Sequence, residues 1–278
     1  MEIRWSDAVP PPTEHRTEDD GAREPARYNA VYLEKPNPKG AAMFDIGLIR
    51  VLTSSDETLL NAHGALLEKA YPGLRVESRC IPDQPEGIHS PAMEAHAVPK
   101  IVELARTAFA HKDMIMVSCA EDPGVPQVRA ALPGMPVIGA GEAAAALALK
   151  HSERIGIVGI TDEAPKAYIR MFGAPLYDAR GERNADASDA GPCTLVANLR
   201  PHGVHSTLDL MDDEGRAACL ASAQALRDKG AGVIALGCTG MATIGIASAM
   251  ERASGLPVVD PVLAMGAFAC FEAAKRRL

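Results

Sequence analysis

The sequence lacks a basic cluster, a long apolar run and, near its amino terminus, the apolar segment of a signal peptide. Its 28 Lys and Arg residues face 36 Asp and Glu residues, which gives a formal net charge of −8. We therefore expect no binding to nucleic acid or to an anionic membrane surface. No apolar run approaches the roughly 18 to 20 residues of a membrane span. Residues 1–20 are rich in acidic side chains and resemble neither a secretory nor a transit peptide, so we predict a cytoplasmic protein.

Closely spaced cysteine pairs are missing as well. The six cysteines form no Cys-x-x-Cys pair: Cys80, Cys119, Cys193, Cys219, Cys238 and Cys270. This scatter argues against a disulfide scaffold and a zinc ribbon, and it favours reduced thiols. No Gly-x-Ser-x-Gly elbow or Walker loop is present, and the segment Gly139–Ala143 lacks the third glycine of a dinucleotide loop. We predict neither a metal site nor a cofactor.

From Phe44 onward, apolar runs suited to buried strands alternate with helical patterns of about 10 to 18 residues. This alternation predicts an α/β protein with parallel sheets. We assign one lobe to residues 43–150 and a second to 151–278, with the last helix free to pack back on the first lobe. Residues 1–42 are rich in proline and charge without a sustained apolar period, which predicts a mobile extension. Met43 is an alternative start of the protein.

Two stretches repeat one pattern, in which a buried strand ends at a thiol and a turn and helix follow. The strand Met114–Ser118 precedes Cys119, and the strand Val233–Leu236 precedes Cys238 after one glycine. The cysteines are 119 residues apart, and the prolines that open the next strand in each half are 121 residues apart. We interpret this near-constant offset as an internal duplication. Because ligands bind past the carboxyl ends of parallel strands, the two thiols are expected to face each other across a cleft.

Two opposed thiols suit proton transfer at a carbon next to a carbonyl. One thiolate removes the α-proton from one face, and the other thiol delivers a proton to the opposite face. We expect the helix that follows each cysteine to lower the thiol pKa. Backbone N–H groups after Cys119 and Cys238, with the Thr239 hydroxyl, could stabilise the developing enolate charge. A cysteine at a strand end is also often a small buried core residue, and the spacing alone leaves both interpretations open.

The remaining cysteines and histidines have weaker claims to a function. Cys219 and Cys270 fall within predicted helices and are interpreted as packing residues. Cys80 ends a strand and could border the cleft, although a core position is favoured. His202 and His205 are predicted to be solvated loop residues, because no carboxylate stands at ligand spacing from them.

Four segments resemble the aspartate/glutamate/hydantoin racemase superfamily, and within it the hydantoin and allantoin racemases in particular: Cys119–Gly124, Pro136–Ala144, Leu236–Met241 and Pro257–Pro261. The resemblance begins near residue 46 and runs to the carboxyl terminus. It implies two pseudo-symmetric, doubly wound parallel-sheet lobes with the active site in the cleft between them. It also implies cofactor-independent racemisation with Cys119 and Cys238 as the acid–base pair. On this footing we assign substrate binding to Thr53, Ser54, Ala120, Thr161, Thr239 and Gly240.

One departure from the family bears on the substrate. These racemases usually carry Asn-Pro-Asn after the first strand, where this chain has Arg50-Val51-Leu52. Loss of the amide side chains argues against hydantoin or allantoin itself. An arginine near the site would prefer a carboxylate, or it could point away on the strand. We therefore predict a racemase or epimerase for a hydantoin- or amino-acid-like substrate.

Two alternatives remain at this stage. A maleate cis–trans isomerase would keep both thiols, whereas related arylmalonate decarboxylases keep only the second thiol, so Cys119 argues against a decarboxylase. A non-catalytic small-molecule sensor could have inherited the same fold. Subunits of this size commonly pair, so a homo-oligomer is possible.

Overall fold

The computed structural model describes residues 43–185, 187, 189 and 191–277. The extension predicted for residues 1–42 lies outside the described residues. Across the part of the chain that is described, no helix combines the length and the apolar character that a bilayer crossing requires.

The first half of the chain forms a parallel four-stranded sheet in the order β2-β1-β3-β4. Of its two central strands, β3 is apolar and buried throughout, and β1 is buried at every position except Asp45, as is typical of a parallel sheet covered on both faces. The strands are β1 (Phe44–Arg50), β2 (Leu74–Cys80), β3 (Met114–Ser118) and β4 (Val137–Gly139), and the helices are α1 (Glu57–Ala70), α2 (Pro91–Ala108), α3 (Val125–Ala131) and α4 (Ala140–Ala148).

The second half forms another parallel four-stranded sheet, in the order β6-β5-β7-β8. This order repeats that of the first sheet strand for strand, which is what an internal duplication produces. The prediction of two parallel α/β lobes is confirmed. The strands are β5 (Arg154–Val158), β6 (Thr194–Leu199), β7 (Val233–Leu236) and β8 (Val258–Val259), and the helices are α5 (Lys166–Phe172), α6 (Asp213–Asp228), α7 (Gly240–Thr243), α8 (Ala247–Ser254) and α9 (Pro261–Lys275), with a 3₁₀ helix at Leu208–Met211.

The two halves share one hydrophobic core. Leu48 and Met116 of the first sheet belong to the same buried cluster as Ile157 and Ala235 of the second. Between the sheets, α4 and α9 pack against each other and carry many small apolar side chains, so their backbones can approach closely. Helix α9 also packs on α1, where the Tyr71 hydroxyl donates to a main-chain carbonyl of α9 at 2.8 Å. The precise limits assigned to the two lobes remain predictions.

The structure differs from the sequence-based helices at three places. The apolar spacing predicts an inner face of α2 that includes Val98, Ile101 and Ala105. In the structure α2 buries Ala97 along with Ile101 and Ala105, and Val98 is only half-buried. The sequence predicts a helix from Glu163 to Phe172, whereas α5 begins at Lys166. The segment before it bends, and the side-chain amide of Asn198 donates there to the main-chain carbonyls of Thr161 and Asp162. The apolar spacing predicts a helix around Ile244 to Ala253, whereas α8 begins at Ala247, because Gly245 adopts a positive φ of 62° and separates it from the short helix α7.

Candidate active site

A cavity of about 190 Å³ lies where the carboxyl ends of strands from both sheets meet. Cys119, which follows β3, and Cys238, which follows β7, both line it. The six residues assigned to substrate binding line the same cavity: Thr53, Ser54, Ala120, Thr161, Thr239 and Gly240. The structure thus brings together every site residue that the sequence singled out, while their individual roles remain predictions.

The Cys119 thiol is buried and has little hydrogen-bond support. Its side chain is 8% exposed, and the main-chain N–H of Glu121 donates to its sulfur. Burial raises the pKa of the Cys119 thiol well above its usual value, and the nearby carboxylates of Glu121 and Asp122 add to the rise. In this environment the neutral thiol is the favoured form.

The Cys238 thiol is equally buried but has more donors. The Gly240 N–H points to its sulfur at 3.3 Å, and the Thr207 hydroxyl lies 3.7 Å away. The Met241 N–H donates to the main-chain carbonyl of Cys238 at 3.1 Å and lies close enough to the sulfur to favour the thiolate as well. Burial still raises the pKa of the Cys238 thiol, although all three donors oppose that rise. Of the two thiols, Cys238 has the environment better suited to holding a negative charge.

The expectation that helix N-termini lower both thiol pKa values is therefore wrong. Helix α3 begins only at Val125, six residues after Cys119, and helix α7 is a single four-residue turn. The dipole effect is confined to the first turn of a helix and grows with helix length, so neither helix offsets the loss of solvent around the sulfur. At Cys238 the first N–H of α7, that of Gly240, does act to lower the thiol pKa, but the loss of solvent outweighs it.

The loop that carries Cys119 is held at the start of α4 by the half-buried carboxyl group of Asp122. Asp122 accepts hydrogen bonds from the N–H groups of Gly141 and Glu142, each at 2.7 Å. Close approach depends on glycines, because a Cβ at Gly139 would lie 2.0 Å from the Asp122 Oδ1. Asp122 itself adopts a positive φ of 53°, and burial raises the pKa of its carboxyl to about 8. These bonds fix the course of the chain three residues after the thiol.

A buried histidine links the two cysteine loops across the lobes. The Nδ1 of His63 lies 2.7 Å from the Ser118 Oγ, and its Nε2 lies 2.8 Å from the Thr243 Oγ1. The Thr239 hydroxyl adds a bond to the main-chain carbonyl of Ser118 at 3.3 Å. Burial lowers the pKa of His63 well below 6.5, so the ring is neutral and donates through one nitrogen while accepting through the other. Sequence reasoning missed this role; its only signal was a polar residue on the buried stripe of α1.

Arg50 is almost fully buried at the end of β1 and lines the cavity. Its Nη1 donates to the main-chain carbonyls of Leu59 and Leu60, at 2.6 and 3.1 Å. Burial lowers the pKa of Arg50 to about 10, which leaves the guanidinium charged at neutral pH. The sequence left open whether Arg50 lies near the site or points away from it. In the structure the side chain binds α1 and also borders the cavity.

The hydroxyl side chains assigned to substrate binding also shape their own loops. The Thr53 hydroxyl donates to the Ile81 carbonyl and accepts from the Gln84 N–H, both at 2.7 Å. Thr161 donates to a carbonyl two residues ahead at 2.9 Å, and Ser54 accepts a main-chain N–H at 3.1 Å. Since a hydroxyl has one proton and two lone pairs, Thr161 and Ser54 keep capacity for a ligand, whereas Thr53 is more heavily engaged.

The remaining cysteines and histidines that the sequence analysis considered lie outside the cavity. Cys219 is buried in the core, which confirms its packing role, but Cys270 is exposed because it lies on the outer face of α9, so its packing assignment is wrong. Cys80 is half-buried at the end of β2 and is not among the lining residues. His202 and His205 lie exposed in a loop, as predicted. Among the described residues, no three His, Cys, Asp or Glu side chains are placed to hold a metal ion.

Sequence reasoning also missed the wall contributed by the 3₁₀ helix and the residue before it. Thr207, Leu208 and Met211 line the cavity, and Thr207 is the residue whose hydroxyl reaches Cys238. A four-residue helix has no usable sequence period, so only the apolar spacing within the segment could have indicated it.

The cavity and its two thiols can be compared with known proteins. The family model described as Asp/Glu/Hydantoin racemase matches residues 46–269. An allantoin racemase from Pseudomonas fluorescens shares 20% identity with a TM-score of 0.66, over 82% of this chain and 89% of that one. An allantoin racemase from Klebsiella pneumoniae shares 26% identity with a TM-score of 0.63, over 84% and 88%. A glutamate racemase from Thermus thermophilus shares 18% identity with a TM-score of 0.56, over 87% and 83%. A search among curated protein sequences found no match.

Proposed function

Since the chain belongs to the Asp/Glu/hydantoin racemase family and is a racemase, we propose that it inverts a carbon next to a carbonyl by proton transfer between Cys119 and Cys238. The observation that carries this proposal is the position of the two thiols. They follow equivalent strands of the two repeats and line one cavity. The substrate is proposed to be a hydantoin- or amino-acid-like molecule.

The proposed reaction has two proton transfers. The thiolate of one cysteine takes the α-proton, and the electrons of the broken C–H bond delocalise onto the adjacent carbonyl as an enolate. The thiol of the other cysteine then gives its proton to the opposite face of the same carbon, which leaves that cysteine as the thiolate. Each enantiomer therefore converts the enzyme into the protonation state that the other enantiomer requires.

The supporting groups are main-chain donors. The Gly240 N–H donates to the Cys238 sulfur with the Met241 N–H close by, and the Glu121 N–H supports the Cys119 sulfur. Such donors stabilise a thiolate in a cavity from which water is excluded, and donors near the carbonyl stabilise the enolate in the same way. Because thiols and N–H groups suffice for both steps, we propose that the reaction needs no cofactor.

The first proton transfer is proposed to have different rates for the two enantiomers. Cys238 has three hydrogen-bond donors, and Cys119 has one donor and two nearby carboxylates. Cys238 is therefore the thiol more easily ionised, and the enantiomer whose α-proton faces Cys238 should lose that proton faster.

Proton NMR in deuterium oxide tests this function. Purified full-length protein is incubated with single enantiomers of 5-substituted hydantoins, allantoin, aspartate and glutamate, and with maleate. We expect one substrate class to lose its α-proton signal and its optical rotation together. The Cys270→Ser variant is the matched control, because this exposed cysteine lies outside the cavity.

The other outcomes favour other functions. Conversion of maleate to fumarate would indicate the cis–trans isomerase. Ligand binding that persists after both cavity thiols are alkylated, with no exchange of any substrate, would indicate the sensor. Either result would overturn the proposed racemisation.

A further inference from the structure

A buried positive charge borders the cavity with part of its hydrogen-bonding capacity unused. Arg50 is 3% exposed, and its Nη1 donates to the carbonyls of Leu59 and Leu60. Its Nε and Nη2 atoms form no hydrogen bond with any residue that the structure describes. A guanidinium has five N–H donors in a planar fork, so one edge of this group remains available.

The charge of Arg50 also lacks a partner. No Asp or Glu among the described residues forms an ion pair with it, and the titratable group that acts on it electrostatically is the Cys80 thiol. Removing a charge from water is costly unless an opposite charge or several hydrogen bonds replace the solvent. Two carbonyl dipoles replace only part of that hydration. An anion in the adjoining cavity would supply the rest.

Two acidic side chains line the cavity, those of Glu86 and Glu121, and neither forms an ion pair with Arg50. Glu121 accepts the main-chain N–H of Lys166 and lies beside the thiols, whose pKa values it raises. Glu86 belongs to an exposed loop at the cavity. Neither carboxylate acts on the Arg50 guanidinium. The cavity therefore has an acidic side near the thiols and a separate positive position at the end of β1.

We propose that Arg50 binds a carboxylate of the substrate, so that the substrate is a carbon acid with an anionic group beside its reacting centre. The inference rests on the proposed function for the identity of the site, and it adds the substrate class. A carboxylate fits the free edge of the guanidinium, since two parallel N–H donors match its two oxygens. The Nη1 bonds to α1 hold the fork in a fixed direction, which reduces the entropy lost on binding.

The competing hypothesis is that Arg50 has a purely structural role and only holds α1 in place. The two roles make different predictions for matched ligands. If Arg50 is purely structural, its substitution would weaken the binding of all ligands equally, or lower the stability of the protein, without changing the preference for acids over amides. A lost carboxylate site would weaken acids and leave their amides unaffected.

Calorimetric titration with acid–amide pairs tests the proposal. The probes are aspartate with asparagine, glutamate with glutamine, and hydantoin-5-acetate with its primary amide, each as both enantiomers, at pH 7.5. At least one acid should bind wild type about 10- to 100-fold more tightly than its amide, the range for a charge-assisted hydrogen bond. Arg50→Gln should remove this preference, and Arg50→Lys should restore part of it because the charge remains without the fork.

The matched control is Arg106→Gln, which removes the same charge from an exposed position on α2 outside the cavity. Circular dichroism and thermal melting check that each variant is folded. A wild-type protein that prefers no acid over its amide would contradict the proposal without reference to any variant. Equal loss of acid and amide in Arg50→Gln, or an unchanged preference, would also overturn it.

Binding and turnover separate this inference from the proposed function. Acid binding that depends on Arg50, without α-proton exchange, would keep the carboxylate site and remove the racemase mechanism. Exchange of charged and neutral substrates at equal rates in wild type and Arg50→Gln would keep the mechanism and remove the carboxylate site.

Discussion

The two halves of the molecule share one strand order but hold their thiols differently. The Cys238 sulfur accepts the N–H group of Gly240 and lies near the Thr207 hydroxyl and the Met241 N–H. Cys119 receives one N–H group and has carboxylates beside it in its own loop. An internal repeat supplies two equivalent positions for acid–base groups, whereas the local donors decide which position more readily carries a charge.

The same comparison extends to the helix that ends each repeat. Asp260 is the N-cap of α9 and accepts from the N–H groups of Val262 and Leu263, at 2.8 and 3.1 Å. Gly139 stands at the N-cap of α4 and has no side chain, so Asp122 provides the carboxylate from the cysteine loop. Helix capping is therefore coupled to the position of the thiol in the first half and independent of it in the second.

Removing either thiol should have the largest effect on activity. Cys119→Ser and Cys238→Ser should each reduce racemisation by about 10²- to 10⁴-fold, because general acid–base groups contribute factors of that size. Each variant should still exchange the α-proton of one enantiomer, with retention of configuration. Cys119→Ser keeps the better supported thiol, so its exchange should be the faster of the two. NMR in deuterium oxide combined with polarimetry measures both processes.

Two results would contradict this asymmetry. Full racemisation by either single variant would rule out the two-thiol mechanism. Exchange of the same enantiomer in both variants would show that the thiols do not act on opposite faces. Cys219→Ser is the matched control, since that buried thiol lies outside the cavity.

Removing the two helix-capping carboxylates should separate stability from catalysis. Asp122→Ala and Asp260→Ala each leave two N–H groups without their acceptor, and each should lose about 0.5–2 kcal/mol of unfolding free energy. Only Asp122→Ala should also lower turnover, by up to about 10²-fold, because it frees the Cys119 loop. Urea denaturation and the exchange rate give the two readouts. An equal fall of turnover in both variants would contradict the coupling.

The link between the halves should be broken by His63→Leu. This variant leaves the buried Ser118 hydroxyl and the Thr243 hydroxyl without the ring nitrogens, at a cost of about 1–3 kcal/mol of unfolding free energy. Racemisation should fall more than α-proton exchange, because inversion needs both loops in register whereas exchange needs one. His202→Leu, in an exposed loop, should change the unfolding free energy by less than about 0.5 kcal/mol. Equal losses of exchange and racemisation would indicate that His63 has a purely structural role.

The part of the site that sequence could predict is the part encoded locally. A buried strand followed by a thiol is visible within ten residues, and its repetition locates Cys119 and Cys238 at equivalent strand ends. The strands themselves and most of the helices follow from the same local patterns. These features required no knowledge of which distant residues meet.

The contacts that distinguish the two thiols join residues far apart in the chain. His63 reaches Thr243 over 180 positions, and Asp122 reaches Gly141 over 19. The Thr207 hydroxyl approaches Cys238 from a segment 31 residues earlier. A single sequence gives the residue types at these positions but not their proximity. The thiol pKa values were misjudged for the same reason, because burial depends on all the elements that close over the sulfur.

The smallest expected effect is a dependence of stability on pH that arises mainly from Asp122 of the first half. Burial raises the pKa of Asp122 from 3.8 to about 8, so between these values the folded protein keeps a proton that the unfolded chain releases. Stability should therefore fall as pH rises, by at most about 1.4 kcal/mol per pH unit from this group. The pKa of His63 is lowered in the folded protein, so its contribution makes stability rise with pH. This contribution is confined to pH values near and below 6.5, where the unfolded chain binds a proton that the folded protein does not.

The window from about pH 7 to pH 8 consequently isolates Asp122. Urea unfolding across this range should show a steeper loss of stability in wild type than in Asp122→Asn, in which the titrating group is absent. Asp260→Asn is the matched control. Burial also raises the pKa of the Asp260 carboxyl, but no neighbouring acidic side chain contributes to that rise, as one does for Asp122. Its slope should lie closer to that of wild type in this window, because the remaining Asp122 still titrates there. Identical slopes in wild type and Asp122→Asn would mean that the Asp122 carboxylate is ionised throughout, held by the two N–H donors of α4.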